Sequence, residues 1–572
     1  MTQDTQVNGP KLSRRQFVGT AAAGAAALGV AVGAGSLVPH GAAAQSEATA
    51  KVPKTLYTRF GPKMEFPAPA VSQSQALITT LPSTWNYTAD VVVVGAGGAG
   101  LAAAIGALEQ GAKVILLEKA ATYGGTSSLS GAGIYAPGSD IERAAGINRA
   151  ESDILDYINA CGGGEADDAL VIPYLSQVNT WVNHLNTIST LNYGVSSTGN
   201  SYNKPGALFT KGDRLSDTNG AGTLGGSGVM KALEAIVAGK GATFMYNTPA
   251  TALYQNAAGA IVGVAATSNS STISISAPKG VILCAGGFGW NFDMLQNFMR
   301  GPMDISNEVI TNTGDGILLG MAAGGYLRNM NNAQWETQYG PSNPTNTPNG
   351  SITGGEGKPG AIVVNRYGKR FMDESSVDTT RTMHWWSSDT TIEGFVNYPA
   401  YTITDSKHRS LYSLAGVAPG TTAPSWISQS NTLEGIAILL GIDPVQFPIT
   451  VSTFNGYATT GLDPDFHRGQ SVPDLGSGDT TRTDLVNPCL GPISTPPFFG
   501  VQIHPGMRNT MGGLRHNANG QVLDRNGNPI PGLYAAGNNS GSLFGSAYPS
   551  GGSSIGSATT FGWYAGTMAG SS

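Results

Sequence analysis

The stretch Gly95-Ala96-Gly97-Gly98-Ala99-Gly100 and the acid Glu118 have the residue types and spacing to hold a dinucleotide. Gly95 permits a tight turn. Gly97 removes the side chain that would keep a pyrophosphate from the backbone, and Gly100 lets a helix press against a strand. Glu118 lies 18 residues beyond Gly100, where a carboxylate accepts hydrogen bonds from ribose hydroxyls. The flanking residues supply the elements that such a site needs. Ala89-Asp90-Val91-Val92-Val93-Val94 is a short β-branched run, as in a strand buried on both faces. A helical stretch follows from Leu101 to Gln110 and is broken at Gly111-Ala112. Lys113-Val114-Ile115-Leu116-Leu117 then forms a second strand that ends on the acid. A helix that opens at the glycines aims its free N–H groups and positive dipole end at the phosphates.

Past Glu118 and Lys119, small and hydroxyl residues gather in Tyr123-Gly124-Gly125-Thr126-Ser127-Ser128-Leu129-Ser130-Gly131-Ala132-Gly133. On these residues the chain resembles the flavoprotein family that contains fumarate reductases and 3-ketosteroid dehydrogenases. The resemblance implies FAD, with this segment along the diphosphate and the isoalloxazine ring. Family members with covalent flavin carry a histidine just before the paired glycines. Thr122 and Tyr123 stand there, so non-covalent FAD is expected. Val281-Ile282-Leu283-Cys284-Ala285-Gly286-Gly287 is similar to the family's strand and turn near the adenosine end. Thr313-Gly314-Asp315-Gly316 is similar to its domain crossover, with Asp315 counted toward the cofactor site. Ile530 to Gly537-Asn538 is similar to its C-terminal strand, followed by Gly551-Gly552-Ser553-Ser554-Ile555-Gly556, which opens the last helix. A helix N-terminus there would stabilise negative charge at the flavin N1/O2 edge.

The family holds two kinds of chemistry. Fumarate reductases use an arginine as proton donor near the last helix and a histidine for a carboxylate before the Met-Gly-Gly sequence. Here Tyr548 and Asn509 stand at those places, and Asp378 stands where a further arginine is expected, with Arg381 nearby. A dicarboxylate stripped of its counter-charges is not bound in a dry site, so fumarate itself is excluded. The 3-ketosteroid dehydrogenases match better, through Asp465-Phe466-His467-Arg468-Gly469 and Tyr548-Pro549-Ser550-Gly551-Gly552. By that likeness the Tyr548 hydroxyl and the Gly552 N–H polarise a ketone, with Ser550 as a further donor. The family's tyrosine base would fall at about Asp378. Tyr193 and Tyr202 are loose matches for a further tyrosine, and Arg508 is the cation most expected to touch substrate or flavin. The reading is a dehydrogenase acting on a carbon–carbon bond next to a ketone. The alternative is a flavin-dependent reductase of an α,β-unsaturated acid or enone, and a third class is an FAD protein without turnover. A small ketosteroid-like or enone substrate and an external electron acceptor or donor follow as partners.

At 572 residues the chain calls for at least two domains. Charged residues make up 12%, against roughly 25% in typical soluble proteins. Net charge is −6 without a basic block outside the extreme N-terminus, which excludes a nucleic-acid footprint. Cys161, Cys284 and Cys489 have no metal-ligand spacing, and no Cys-x-x-Cys-His attaches haem. Ser13-Arg14-Arg15-Gln16-Phe17-Val18, a weakly apolar run to about Val38 and Ala42-Ala43-Ala44 read as a twin-arginine signal, so a periplasmic or otherwise exported protein is expected. No later stretch reaches membrane-spanning length. The expected class is α/β, a Rossmann-type FAD-binding domain with an inserted α+β capping domain. Its parts are signal 1–44, extension 45–84, FAD-binding 85–310, capping 311–499 and FAD-binding 500–572.

Overall fold

Four consecutive valines form β1 (Val91–Val94), and each is buried because helices and a further sheet cover both faces of the strand. The computed structural model describes residues 76–572 apart from positions 198, 210, 220–224, 340–354 and 391–393. The expected signal peptide lies outside the described residues, as does most of the extension.

From β1 the chain enters α1 (Gly98–Glu109), which starts three residues earlier than its apolar run, inside the glycine motif itself. Next come β2 (Val114–Leu117), β3 (Ile134–Tyr135), α2 (Asp168–Ile188), β4 (Tyr193–Val195) and β5 (Arg214–Asp217). The last three strands make a small antiparallel sheet in the order β3-β5-β4. β6 (Thr243–Met245) and β7 (Gly280–Leu283) return to the first sheet. After α3 (Asp315–Ala322), a second sheet is built from β8 (Ala333–Gln338), β9 (Ala361–Asn365), β10 (Ala400–Thr404) and β11 (Phe498–Thr510), with α4 (Asp378–Met383) between β9 and β10. The chain closes with β12 (Gln521–Leu523), β13 (Pro529–Ala535) and α5 (Ser553–Ser571).

The first sheet has the order β12-β13-β7-β1-β2-β6, and only β12 runs antiparallel. Val91–Val94 lie opposite Val114–Leu117 on one side and Gly280–Leu283 on the other. Strands from both ends of the chain therefore share one core. In the second sheet β11 pairs antiparallel with β8 and β10, and β10 pairs with β9. Its interior holds charge: fully buried Arg468 and nearly buried Arg370 meet Glu374 at 3.0 and 2.7 Å. Burial pushes the Glu374 carboxyl up, but the two guanidinium groups prevail and hold it at about 2.

The glycine excess has a packing reason in α5. A Cβ on Gly562 would lie 2.3 Å from the Ala99 carbonyl, on Gly566 1.9 Å from that of Ala103, and on Gly570 2.9 Å from that of Ala107. Steps of four on both helices mean that α1 and α5 run parallel, backbone against backbone. Ser553 is nine residues before Gly562, whereas Gly98 is one before Ala99, so α5 starts about 12 Å behind α1 along the shared direction. Among the described residues, no helix is long and apolar enough to cross a membrane.

Candidate active site

Both helix N-termini open on one cavity of about 600 Å³. Its near end is the glycine motif. Gly95 has φ +102°, and a Cβ there would meet the Cys284 carbonyl at 2.4 Å; one on Gly100 would meet the Gly95 carbonyl at 1.8 Å. By contrast, the nearest atom to a Cβ on Gly97 is 3.8 Å away, so that glycine keeps the cavity floor clear. The N-cap residue Gly97 has no side chain to cap α1 and no acid sits in its first turn, which leaves the N–H groups there, apart from that of Gly98, to an anion. The Gly98 N–H donates to the Ser127 hydroxyl at 3.2 Å. Glu118 accepts from the N–H groups of Ala96 and Ala120 at 2.8 and 2.7 Å. Burial raises its carboxyl, and those two N–H groups oppose the shift. Each of its oxygens keeps a second lone-pair direction for a hydroxyl. Lys119 reaches Thr313 at 2.6 Å and Asp315 at 2.7 Å, closing the wall above β2.

The far end of the cavity is made by the Gly131-Ala132-Gly133 segment and the mouth of α5. Ala132 holds φ +47°, its N–H donating to Ser130 at 3.0 Å while its carbonyl accepts from the Tyr193 hydroxyl at 3.0 Å. Gly552 has φ +96° and caps α5 with backbone alone; a Cβ there would lie 2.6 Å from the Gly133 carbonyl carbon. Its N–H donates to the Tyr548 hydroxyl at 3.1 Å. These two groups, four residues apart in a turn, thus converge at the cavity surface. The turn is braced from behind: the Tyr157 hydroxyl donates to the Pro549 carbonyl at 2.5 Å, and the Tyr548 N–H donates to the Tyr202 hydroxyl at 3.4 Å.

The cavity is lined by Gly95, Gly97, Gly98, Ala99, Glu118, Lys119 and the segment Gly125, Thr126, Ser127, Ser130, Gly131, Ala132, Gly133. From the later motifs it is lined by Ala285, Gly286, Asp315, Gly537, Asn538, Gly552, Ser554 and Ile555, and of the catalytic candidates by Tyr548 and Arg508. Other assignments from the sequence need correcting. Gly100, Gly124, Gly287 and Ser553 do not line the cavity; they shape it from behind. A Cβ on Gly287 would meet the Thr510 hydroxyl at 1.9 Å, and the Ser553 hydroxyl donates to the Ser550 carbonyl at 2.8 Å. Ser550 is fully buried and its hydroxyl donates away from the cavity, to the Gly199 carbonyl at 3.2 Å, so it does not face the cavity as the resemblance implied.

Asp378 also lies outside the cavity wall. At the first turn of α4 it pairs with Arg381 and, at 2.8 Å, with Arg508. Both of its oxygens are taken by guanidinium groups, which is the arrangement of a tether rather than of a base. Arg508 bridges it to buried Glu336, whose carboxyl is raised by burial against the pull of Arg508. Trp385 is buried in the core and Trp386 packs edge-on to Trp335, so these tryptophans are structural. The sequence reading missed Arg214, Asn307 and Gln334, which line the cavity from β5, the segment before α3 and β8. No local motif marks them; each arrives by tertiary placement.

The α1–α5 stagger and the two uncapped N-termini suit a ligand with a diphosphate at one end and, at the other, a ring that takes up negative charge. Comparison with known proteins agrees. The model of the FAD binding domain family matches residues 90–555. The chain is 31% identical to a 3-oxosteroid 1-dehydrogenase of Mycolicibacterium smegmatis, over 83% of this chain and 96% of that one. It is 29% identical to a 4-oxocyclohexanecarboxylate 2-dehydrogenase of Sinomonas cyclohexanicum, over 86% and 94%. The solved 3-ketosteroid delta1-dehydrogenase from Sterolibacterium denitrificans superposes with a TM-score of 0.78 at 27% identity, covering 85% of this chain and all of that one. The chain belongs to the FAD binding domain family and is an FAD-dependent oxidoreductase of the group that holds ketosteroid dehydrogenases and fumarate reductases.

Proposed function

We propose that this protein dehydrogenates a carbon–carbon bond beside a ketone on a cyclic substrate, outside the cytoplasm. The observation that carries the reading is the Tyr548 hydroxyl 3.1 Å from the Gly552 N–H, at the cavity surface where α5 begins. Two donors at that separation both reach a single oxygen. A substrate ketone takes the place of their mutual bond, accepting the Gly552 N–H and the Tyr548 O–H together. Polarising the carbonyl acidifies the neighbouring C–H and stabilises the enolate that its loss creates. The mouth of α5 adds its own positive dipole end to that region. FAD, when bound, supplies the hydride acceptor. The names of two relatives, an oxosteroid and an oxocyclohexanecarboxylate dehydrogenase, share an oxo group and a dehydrogenation.

The test is anaerobic stopped-flow of the flavoprotein with a panel of 3-ketosteroids and oxocyclohexane carboxylates, watching the oxidised flavin band at about 450 nm. Bleaching by a cyclic ketone, slowed about 10²–10³-fold in Tyr548→Phe, supports the reading. Reoxidation of the reduced protein by unsaturated acids, with no response to any ketone, sinks it and favours a reductase. Export rests on Arg14-Arg15 and the small-residue site at Ala42-Ala43-Ala44. Replacing both arginines by lysine should hold the protein in the cytoplasmic fraction; unchanged export would remove that part.

A further inference from the structure

Arg214 lines the far end of the cavity from the first position of β5. Among the described residues its side chain makes no hydrogen bond or ion pair, and its Nε is buried without a partner. A buried nitrogen is also left over in Arg366, Arg370, Arg381 and Arg409, but each of those guanidinium groups holds an acceptor through another nitrogen. Arg149, Arg370, Arg381 and Arg468 each hold a carboxylate. A partly desolvated guanidinium without an acceptor is costly, so its placement needs a reason.

The placement is closely determined. A Cβ on Gly133 would lie 2.5 Å from Arg214 Nε, one on Gly551 3.2 Å from Nη1, and one on Gly131 3.3 Å from Nη2. The arm therefore lies across the two glycine segments that form the ring end of the cavity, one residue from the Gly552 cap of α5. The preceding residue fixes its exit. Asp213 is fully buried at φ +58°, in the left-handed region. Its carboxylate takes Arg149 and Asn200, each at 2.5 Å, and its N–H donates to Glu142. A buried network thus holds a left-handed residue next to a cation that has no ion pair among the described residues, which fixes where the arginine leaves the strand.

We infer that Arg214 stabilises negative charge on the pyrimidine edge of the bound flavin, in concert with the N–H groups at the start of α5. When a hydride leaves substrate carbon, two electrons and one proton reach the ring and one negative charge remains there. A fixed cation beside that edge lowers the energy of the charged, reduced form without reorganising. The inference rests on FAD binding and is independent of which ketone is oxidised.

Sulfite tests it without turnover. Its lone pair bonds to the flavin ring and displaces a ring electron pair onto the pyrimidine edge, so its affinity reads the local charge and needs no oxidant. On purified holoenzyme, Arg214→Gln should weaken sulfite binding at least tenfold and lower the midpoint potential by the equivalent about 30 mV for a two-electron couple. Arg214→Lys should keep most of both. Flavin-loaded Arg214→Gln with unaltered sulfite affinity and potential would overturn the inference, and would do so even if KM rose, since Arg214 would then face substrate. Where Arg214→Gln does not retain FAD, Arg214→His decides: its sulfite affinity relative to wild type should rise as pH falls through about 6.5. A flat ratio overturns the inference.

Discussion

Tyr548 and Gly552 meet because Gly552 sits at φ +96° with no room for a side chain against Gly133. At that position even the smallest substitution acts twice: it strains the backbone and pushes the α5 mouth from the Gly131–Gly133 segment. Gly552→Ala is therefore expected to lower kcat by at least about 100-fold, roughly the effect of losing one oxyanion donor. Steady-state assay of flavin-loaded enzyme reads this directly. Asp378 gives the opposite expectation. Its carboxylate is occupied by Arg381 and Arg508 rather than aimed into the cavity. Asp378→Asn should leave the pH profile of kcat in place and cost less than about tenfold, well below the loss typical of a general base. A larger loss with a vanished limb of the profile would restore Asp378 as the base. Sequence likeness pointed to Tyr548, Gly552 and Asp378 alike, because it reads position along the chain. Placement separates the first two, which reach the cavity wall by a hydroxyl and a backbone N–H, from the third, which does not, and placement depends on neighbours that are distant in sequence.

At the scale of elements, the α1–α5 crossing holds the site together. It fixes the two N-termini at their stagger of about 12 Å and thereby the two ends of the cavity. Gly566, 1.9 Å by its absent Cβ from the Ala103 carbonyl, is the tightest point of that crossing. Gly566→Val should force the helices apart, costing about 3 kcal/mol as overpacking does, and should release FAD before the chain unfolds. Flavin absorbance per protein after gel filtration, followed by a thermal melt, checks both outcomes. Full flavin content with an unchanged melting temperature would show that the crossing relaxes. The β1–α1–β2 unit was legible from the sequence because its signals are contiguous: a buried β-branched run, glycines at fixed spacing and a terminal acid. The α1 start was read three residues late, since glycines carry no helical periodicity. The parallel packing of α5 on α1 was not legible, for it joins residues about 460 positions apart through glycines that look alike in any turn.

At the scale of the whole molecule, two buried histidines set part of the acid limit. Burial lowers His408 and His516 to about 4 each. In the unfolded chain they titrate near 6.5. Between those values the unfolded state binds more protons, so the stability they support is complete above pH 6.5 and is lost as pH falls toward 4. Each is worth up to about 3 kcal/mol over that window. Glu142 works in the other direction: burial raises it to about 7, so its contribution is present below pH 4.5 and lost as pH rises through 7. Comparing urea midpoints of His408→Gln and wild type at pH 7 and pH 4.5 isolates one term. The drop on acidification should be smaller in the variant, and an equal drop would show that His408 is not among the groups responsible.

A dinucleotide site and the strand–glycine–helix–strand–acid unit were readable from the residues alone, because backbone approach, dipole and turn geometry are set by neighbours a few residues apart; FAD and the enzyme class came from the family resemblance. It also carried the Tyr548–Gly552 pair, which lies within one turn. Which polar groups point into the cavity follows from packing between distant segments. Ser550 and Asp378 turn away to other partners, while Arg214 arrives from a small sheet without an ion pair among the described residues. The direction of a long side chain is fixed by whatever fills the space around it, and in this fold that space is shared by segments from both ends of the chain.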